Sequence, residues 1–552
     1  MSAHANLVIK NASYVDVEAG EIRQGDIAIA DGVILSIGNF NGGADAEIDA
    51  AGCVVIPGLI DAHIHLESSM VAPAEFARAV LPHGTCAVAT DPHEIANVMG
   101  FAGIEYMLQA TESLPIDVFF ELSSCVPATP YEENGCDFDY DAAQRFYNNP
   151  RFVGLGEMMN YPAVVASDEE ILKRIEAARS RDLAVDGHAP GLSGEALAAY
   201  VAAGVQSDHE CTTPQEAQEK IDAGMSIMIR EGTAAHNLDA LLPIIKPENA
   251  SKVMFCCDDK HPNDLLFKGH IDTICRRAIA AGADPMLVVR AATLNAARYF
   301  KLGKRGDIKP GYKADLVILD SLAGFNVLAV VKNGEVAFDG ELRISVAAPA
   351  IDDALRTAAH NTFHLAKLTP EDFATGGDTA VLGVVPGELI TKNCGRASGV
   401  CVDSGILKIA VVERHRNTGH IGVGFIHGYG LKTGAVATSI AHDAHNLIVV
   451  GASEQDIALA ANAVAESRGG IAVVANDEVK VQVELPMAGL MSDRSLEETN
   501  QALEQAKAAA FALGVNEGID PFMTLSFMSL TVIPELRITT QGMFDAVEQR
   551  FC

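Results

Sequence analysis

The stretch PGLIDAHIHLESSM, Pro57 to Met70, sets two histidines one residue apart between an aspartate and a glutamate. Around them Val54, Val55, Ile56, Leu59, Ile60 and Ile64 are the residues of a buried strand. Alternate side chains of a strand point to one face. Asp61, His63, His65 and Glu67 are therefore expected on one side, with Ala62, Ile64 and Leu66 on the other. Four polar groups on one face of a buried strand are costly unless something pairs them. A metal ion would pair them.

Working outward, strands and helices alternate. Candidate strands end near His65, Thr90, Ser124, Glu157, His188, His209, Arg230 and Asp258, at intervals that hold a strand and a crossover helix. The helices PAEFARAVLPHG and SGEALAAYVAAG close on Gly84 and Gly204, and SDEEILKRIEAARSRD opens on Ser167; serine caps and glycine stops are the expected punctuation. Eight such units over about 250 residues imply an α/β fold, a (β/α)8 TIM-like barrel over residues 56–305.

Both flanks of that barrel read as short strands with Gly and Asp-Gly turns: ANLVIKNASYVDV and GDIAIADGVILSIG before it, GDIKPGYKADLVILD and VLAVVKNGEVAFDG after it. Neither flank can bury a core alone. Residues 1–55 and 306–345 are expected to meet as one small, discontinuous β-sandwich domain. LRISVAAPAIDD reads as a linker, and residues 350–552 as a C-terminal α+β domain with helices in SEQDIALAANAVAESRGG and SLEETNQALEQAKAAAFALG.

Barrel enzymes carry their chemistry at the C-terminal ends of the strands, and that is where the polar residues fall. The first strand ends in His63 and His65, the fourth (RFVGLGEMM) in Glu157, the fifth (LAVDGHAPG) in His188 and the sixth (GVQSDHECT) in His209. The eighth, KVMFCCDDKHP, ends in Asp258 and Asp259. Any one of these alone reads as a cap or a satisfied core group. Together they read as a metal centre.

This pattern resembles the amidohydrolase superfamily: H-x-H after strand 1, single histidines after strands 5 and 6, an aspartate after strand 8. Many members bridge two metals with a carboxylated lysine after strand 4, where this chain has Glu157 and no lysine. A glutamate can bridge two cations through its two oxygens. Within the superfamily, DPHEIANVMG, GHAPGLSG, SDHECTTPQEAQEK, GMSIMIREGTAAHNL, FCCDDKHPNDLLFKGHID and the tail DPFMTLSFMSLTVIPELRIT resemble the adenine deaminase family. One departure is Cys257, where threonine or serine is expected.

The resemblance implies hydrolytic deamination of adenine to hypoxanthine and ammonia, in purine salvage or catabolism, by a hydroxide held in a binuclear site. His63, His65, Glu157, His188, His209 and Asp258 would be the metal ligands. Asp258 and the bridging Glu157 would be the catalytic pair, Asp258 taking the proton of the attacking water. Mixed histidine and carboxylate donors suit Mn2+, Fe2+ or Zn2+; the carboxylate bridge and the resemblance favour Mn2+ or Fe2+. The alternative is an amidohydrolase acting on a related purine or a cyclic amide, against which the missing lysine speaks. A dead barrel kept for binding would have lost ligands. The H-x-E and P-C-x-x-C zinc site of other deaminases is excluded, since no C-x-x-C occurs.

Several residues are open to two readings. Asp91, His93 and Glu94 follow the second strand as a capped Pro turn opening a helix, or as support for the centre or contacts to the purine. Glu121, an acid in an apolar strand, either holds a ligand histidine from behind or is buried beside an arginine or a backbone donor. Arg230 and Glu231 contact substrate or pair with each other; Asp259 is a further substrate-side candidate. His415, His420, His427, His442 and His445 cluster in the C-terminal part. They are expected to close over the active site or stabilise an oligomer, a second metal being the weaker alternative.

Composition bounds the rest. Across 552 residues, 40 Lys and Arg against 73 Asp and Glu leave a net charge of −33, which repels nucleic acid and anionic membranes. No apolar run reaches the ~18 residues that span a bilayer, and the N-terminus has no basic stretch followed by an apolar core. Eleven scattered cysteines read as the thiols of a reducing compartment. The expected protein is cytoplasmic and a homo-oligomer, a dimer, with adenine and water as its partners.

Overall fold

A computed structural model describes residues 4–375 and 377–552. Its centre is two parallel arcs. Strands β1 (Leu59–Ile64), β2 (Thr85–Thr90), β3 (Asp117–Leu122), β4 (Phe152–Met158) and β5 (Ala184–Gly187) pair in chain order in one sheet. Strands β6 (Ser207–Asp208), β7 (Ser226–Arg230) and β8 (Val253–Cys256) form the other. The arcs abut at both seams. The Gln206 N–H donates to the Val185 carbonyl at 2.9 Å, and the Asp258 N–H donates to the His63 carbonyl at 2.9 Å. All eight expected strand ends fall within two residues of these boundaries. Every residue of β1, β2 and β4 is buried, as parallel strands covered on both faces must be.

Two local expectations are corrected. β1 slips register against β2 between Asp61 and Ile64, and a bulge re-aims side chains. The strand then ends, and Leu66–Ser69 turns as a 3-10 helix. Asp61, His63, His65 and Glu67 consequently do not share a face. The helix expected to open on Ser167 spans Glu169–Arg179, and the Asp168 carboxylate caps it by accepting from the Glu170 and Ile171 N–H groups.

The flanks of the barrel pair directly. Leu316–Leu319 runs antiparallel to Val54–Pro57, which runs parallel to His4–Asp16, in one eight-stranded sheet. Leu7, Ile9, Ile27, Ile29, Val55, Leu316, Ile318 and Val331 fill its core. Lys332, from the downstream flank, reaches Asp117 of β3 at 2.7 Å and ties this sheet to the barrel.

Residues 379–484 supply a second eight-stranded sheet, covered by the helices Glu454–Glu466 and Leu496–Ala512. The longer helix opens with a capping box in which Ser495 and Glu498 satisfy each other's backbone N–H groups. This layer lies against the strand-end face of the barrel. The Ser492 N–H donates to the Met70 carbonyl at 2.8 Å, and the hydroxyls of Thr129 and Thr531 bond at 2.6 Å.

Candidate active site

Five side chains from four strand ends gather around Glu157, at the end of a fifth. Its Oε1 lies 3.1 Å from His65 Nε2 and 3.7 Å from His63 Nε2. Its Oε2 lies 2.7 Å from His188 Nδ1 and 3.3 Å from His209 Nε2. Asp258 Oδ1 closes the first side, 3.1 Å from His65 Nε2 and 3.7 Å from His63 Nε2. One carboxylate thus addresses two donor groups, one through each oxygen. His63, His65 and Glu157, then His63, His209 and Asp258, then Glu157, His188 and His209, each offer ligand atoms within 4.8 Å of one another.

The donor set fits a pair of cations. Both ring nitrogens of fully buried His63 lack a hydrogen-bond partner, which is costly for a polar group meant to pair within the protein. Burial, then the neighbouring His209 and His65, hold the His63 pKa well below its ordinary value, so the ring is neutral, the form that can ligate a cation. Burial raises the Glu157 carboxyl, but hydrogen bonds from His188, His209 and His65 outweigh it and hold the acid well below the usual carboxylate range.

The surroundings orient these groups. His65 Nδ1–H donates to the Asp91 carbonyl at 3.0 Å, leaving Nε2 to face the centre. The Asp91 side chain accepts from Ser123 Oγ at 2.8 Å and makes no helix cap. His93 stands edge-on to His65, with Nδ1 3.7 Å from Glu157 Oε1. Glu121 lies behind His63, its Oε2 3.8 Å from Nδ1. Burial, then the charges of Asp186 and Asp91, push its carboxyl well above the ordinary value.

Arg230 and Glu231 do not pair with each other. Arg230 Nη1 donates to Asp258 Oδ2 at 2.7 Å, and the same guanidinium grips Glu210 through both oxygens. Burial raises Asp258, but Arg230 and then His65 hold it well below the usual range, so it stays ionised. Glu231 turns away to Arg277 and to the N–H of Leu238 at 2.9 Å. Asp259 accepts from Ser68 Oγ.

Asp61 does not reach the centre. It accepts from the Cys257 N–H at 3.1 Å and lies 3.2 Å from His270 Nε2, stitching β1 to β8. Three contributors escaped the sequence reading: Glu210, His270 and Ser68. Glu210 had a readable signal, being an acid beside His209 at a strand end. The others depend on contacts across the fold. The C-terminal histidines divide: His442 and His445 enter the barrel mouth and bond Glu94, His415 is buried against the Ala444 carbonyl, and His420 binds Glu133 at the surface.

Residues 54–337 match the amidohydrolase family model, and residues 389–550 match the adenine deaminase C-terminal domain. The chain is 46% identical to an adenine deaminase of Desulfatibacillum aliphaticivorans, over 98% of its own length and 95% of the relative's. It is 45% identical to adenine deaminase 2 of Carboxydothermus hydrogenoformans over 98% and 95%. With the adenine deaminase of Clostridium acetobutylicum the identity is 43%, over 99% and 97%.

Proposed function

Because the chain belongs to the adenine deaminase family of amidohydrolases and hydrolyses adenine to hypoxanthine and ammonia, we propose that it does so at the Glu157 centre with two divalent cations. The observation that carries this is the split of Glu157, Oε1 toward His65 and Oε2 toward His188. His63, His65, Asp258 and Oε1 would hold one cation; His188, His209 and Oε2 would hold the other. Such a pair would lower the pKa of a ligated water from 15.7 toward about 7.

The chain's own part is positional and protonic. Arg230 occupies Asp258 Oδ2, which keeps the carboxylate ionised and turns Oδ1 to the centre. Asp258 Oδ1 then takes the proton of the water whose oxygen adds to C6 of adenine. The proton held by Asp258 is returned to the 6-amino group, the C6–N bond breaks and ammonia leaves. Asp91 and Glu121, behind His65 and His63, keep those rings in register. The nitrogen and oxygen donor set suits Mn2+, Fe2+ or Zn2+; the carboxylate bridge and the family resemblance favour Mn2+ or Fe2+. We place the reaction in purine salvage or catabolism and in the cytoplasm; all eleven cysteines are free, as suits a reducing compartment.

The test is ammonia release from adenine by purified protein, with metal content measured on the same sample. Turnover with about two metals per chain is the expected result. Metal without adenine turnover would overturn the reading, and full activity with one metal would remove Glu157 as the bridge. No release of ring-opened product from hydantoin or dihydroorotate is expected.

A further inference from the structure

Outside the ligand set, buried ionisable groups concentrate where the C-terminal layer meets the barrel mouth. Glu94, on the helix His93–Met99, receives two histidines from beyond residue 440: His442 Nδ1 donates to Oε1 at 2.7 Å, and His445 Nε2 donates to Oε2. The Ala441 N–H donates to His445 Nδ1 at 3.2 Å. That nitrogen is therefore unprotonated, and the neutral ring carries its proton on Nε2. With both nitrogens of His445 committed to hydrogen bonds, this cluster holds a side chain in place rather than caging a cation.

The side chain it holds is His442. Its ring lies flat on Phe527, centroids 4.5 Å apart at 17°. It lines a pocket between the C-terminal layer and the barrel mouth. Ile471, Leu490, Phe522 and Met523 of the C-terminal layer form the apolar wall. Glu67, from the turn after His65, lines the opposite side and its buried Oε2 has no partner. The cavity adjoins the centre: Glu94 Oε1 is 3.5 Å from His93 Nε2, and His93 Nδ1 is 3.7 Å from Glu157 Oε1. With Nδ1 given to Glu94, His442 has only Nε2 to offer a ligand.

We propose that this chamber receives the purine and that His442 is a catalytic residue supplied by the C-terminal domain, its Nε2–H donating to a ring nitrogen of adenine. The proposal rests on the adenine-hydrolysing reading above. As C6 passes from trigonal to tetrahedral, negative charge moves onto the ring nitrogens. A donor fixed at that position binds the transition state more strongly than the substrate. The Glu94 carboxylate fixes it by holding the imidazole through Nδ1.

The electrostatics agree with this role. Burial lowers the His442 pKa, but Glu94 first, then Asp259 and Asp443, outweigh it and bring it to about 9. On the other side stand His261 and His445, both pushed by burial down to about 4 and hence neutral. His442 is thus a cation at neutral pH with two N–H donors.

The experiment compares wild type, His442→Asn, His442→Gln, Glu94→Gln and the double variant H442N/E94Q. Ammonia release from adenine, bound metal, thermal melting and the pH profile of kcat/KM are measured. His442→Asn is expected to keep its metal and lose about 10²–10³ in kcat, together with the alkaline limb near pH 9. His442→Gln, whose amide nitrogen reaches the position of the imidazole Nε2 where that of Asn reaches only the position of Nδ1, recovers part of the loss. H442N/E94Q is no slower than H442N, because Glu94 acts through His442. A kcat for His442→Asn within about threefold of wild type, below the ~10² of a catalytic donor, overturns the proposal; so does a double variant whose losses multiply. If Asn at 442 lowers melting or metal content, Glu94→Gln decides: a shifted alkaline limb supports the proposal and an unchanged one overturns it. Wild type that releases no ammonia from adenine would instead refute the underlying reading.

Discussion

Asp258 meets two demands with one side chain. Oδ1 faces His65 at 3.1 Å while Oδ2 takes the Arg230 guanidinium at 2.7 Å. Its backbone sits at φ 59°, a left-handed conformation that aspartate tolerates better than most residues. The strand-end position was legible from KVMFCCDDKHP, but the partner on Oδ2 was not, because Arg230 lies 28 residues earlier. Under the proposed assignment, removing the carboxylate removes a ligand and the proton acceptor together. Asp258→Ala is expected to lose at least ~10² in kcat, with less metal retained after dialysis. Steady-state ammonia release within a few-fold of wild type would sink that assignment.

At the scale of the element, β4 shows why a strand reads VGLGEM. A Cβ on Gly156 would overlap the Asp91 carboxylate, and one on Gly154 would come within 2.7 Å of Glu121 Oε1. These two alternate glycines clear room inside the barrel for the acids of β3 and the β2 loop, so that Glu157 can project beyond them. Gly156→Ala should displace Asp91, whose carbonyl orients His65. Losses of about 10–100-fold in metal affinity or activity follow for such supporting contacts. Competition with a chelator, run beside the ammonia assay, checks this; unchanged metal affinity and rate would show that Asp91 does not depend on the gap. Strand ends and glycine stops were legible because they are local. The β1 bulge was not, because it is set by pairing with β2.

At the scale of the whole molecule, the C-terminal layer packs on the barrel mouth. It joins the barrel through buried groups, among them Glu132, which accepts from the Thr531 hydroxyl and N–H while Oε2 has no partner. Burial, then Asp443, push this carboxyl up from 4.5 to about 8, against the lowering by Thr531. A raised folded pKa means that the folded state binds the proton that the unfolded state has released. The contribution is therefore full below pH 4.5 and declines as pH rises to about 8. Glu132→Gln removes that decline. The melting temperature of the variant relative to wild type should rise between pH 5 and pH 8. Parallel melting curves across that range would show that Glu132 does not titrate there.

The histidines of the first, fifth and sixth strands, Glu157, Asp258 and the order of strands were written in the sequence by itself. Each is a local statement: an H-x-H in an apolar run, an acid at the end of a strand, a glycine after a helix. Only the tertiary structure decided what stands behind and above them. Asp61 left the centre for His270, Arg230 chose Asp258 and Glu210 over its neighbour, and Glu94 found His442, 348 residues away. Such pairs leave no spacing to read. They form because a buried carboxylate must be satisfied by whichever donor the fold brings to it, and that choice is made by packing, not by adjacency in the chain.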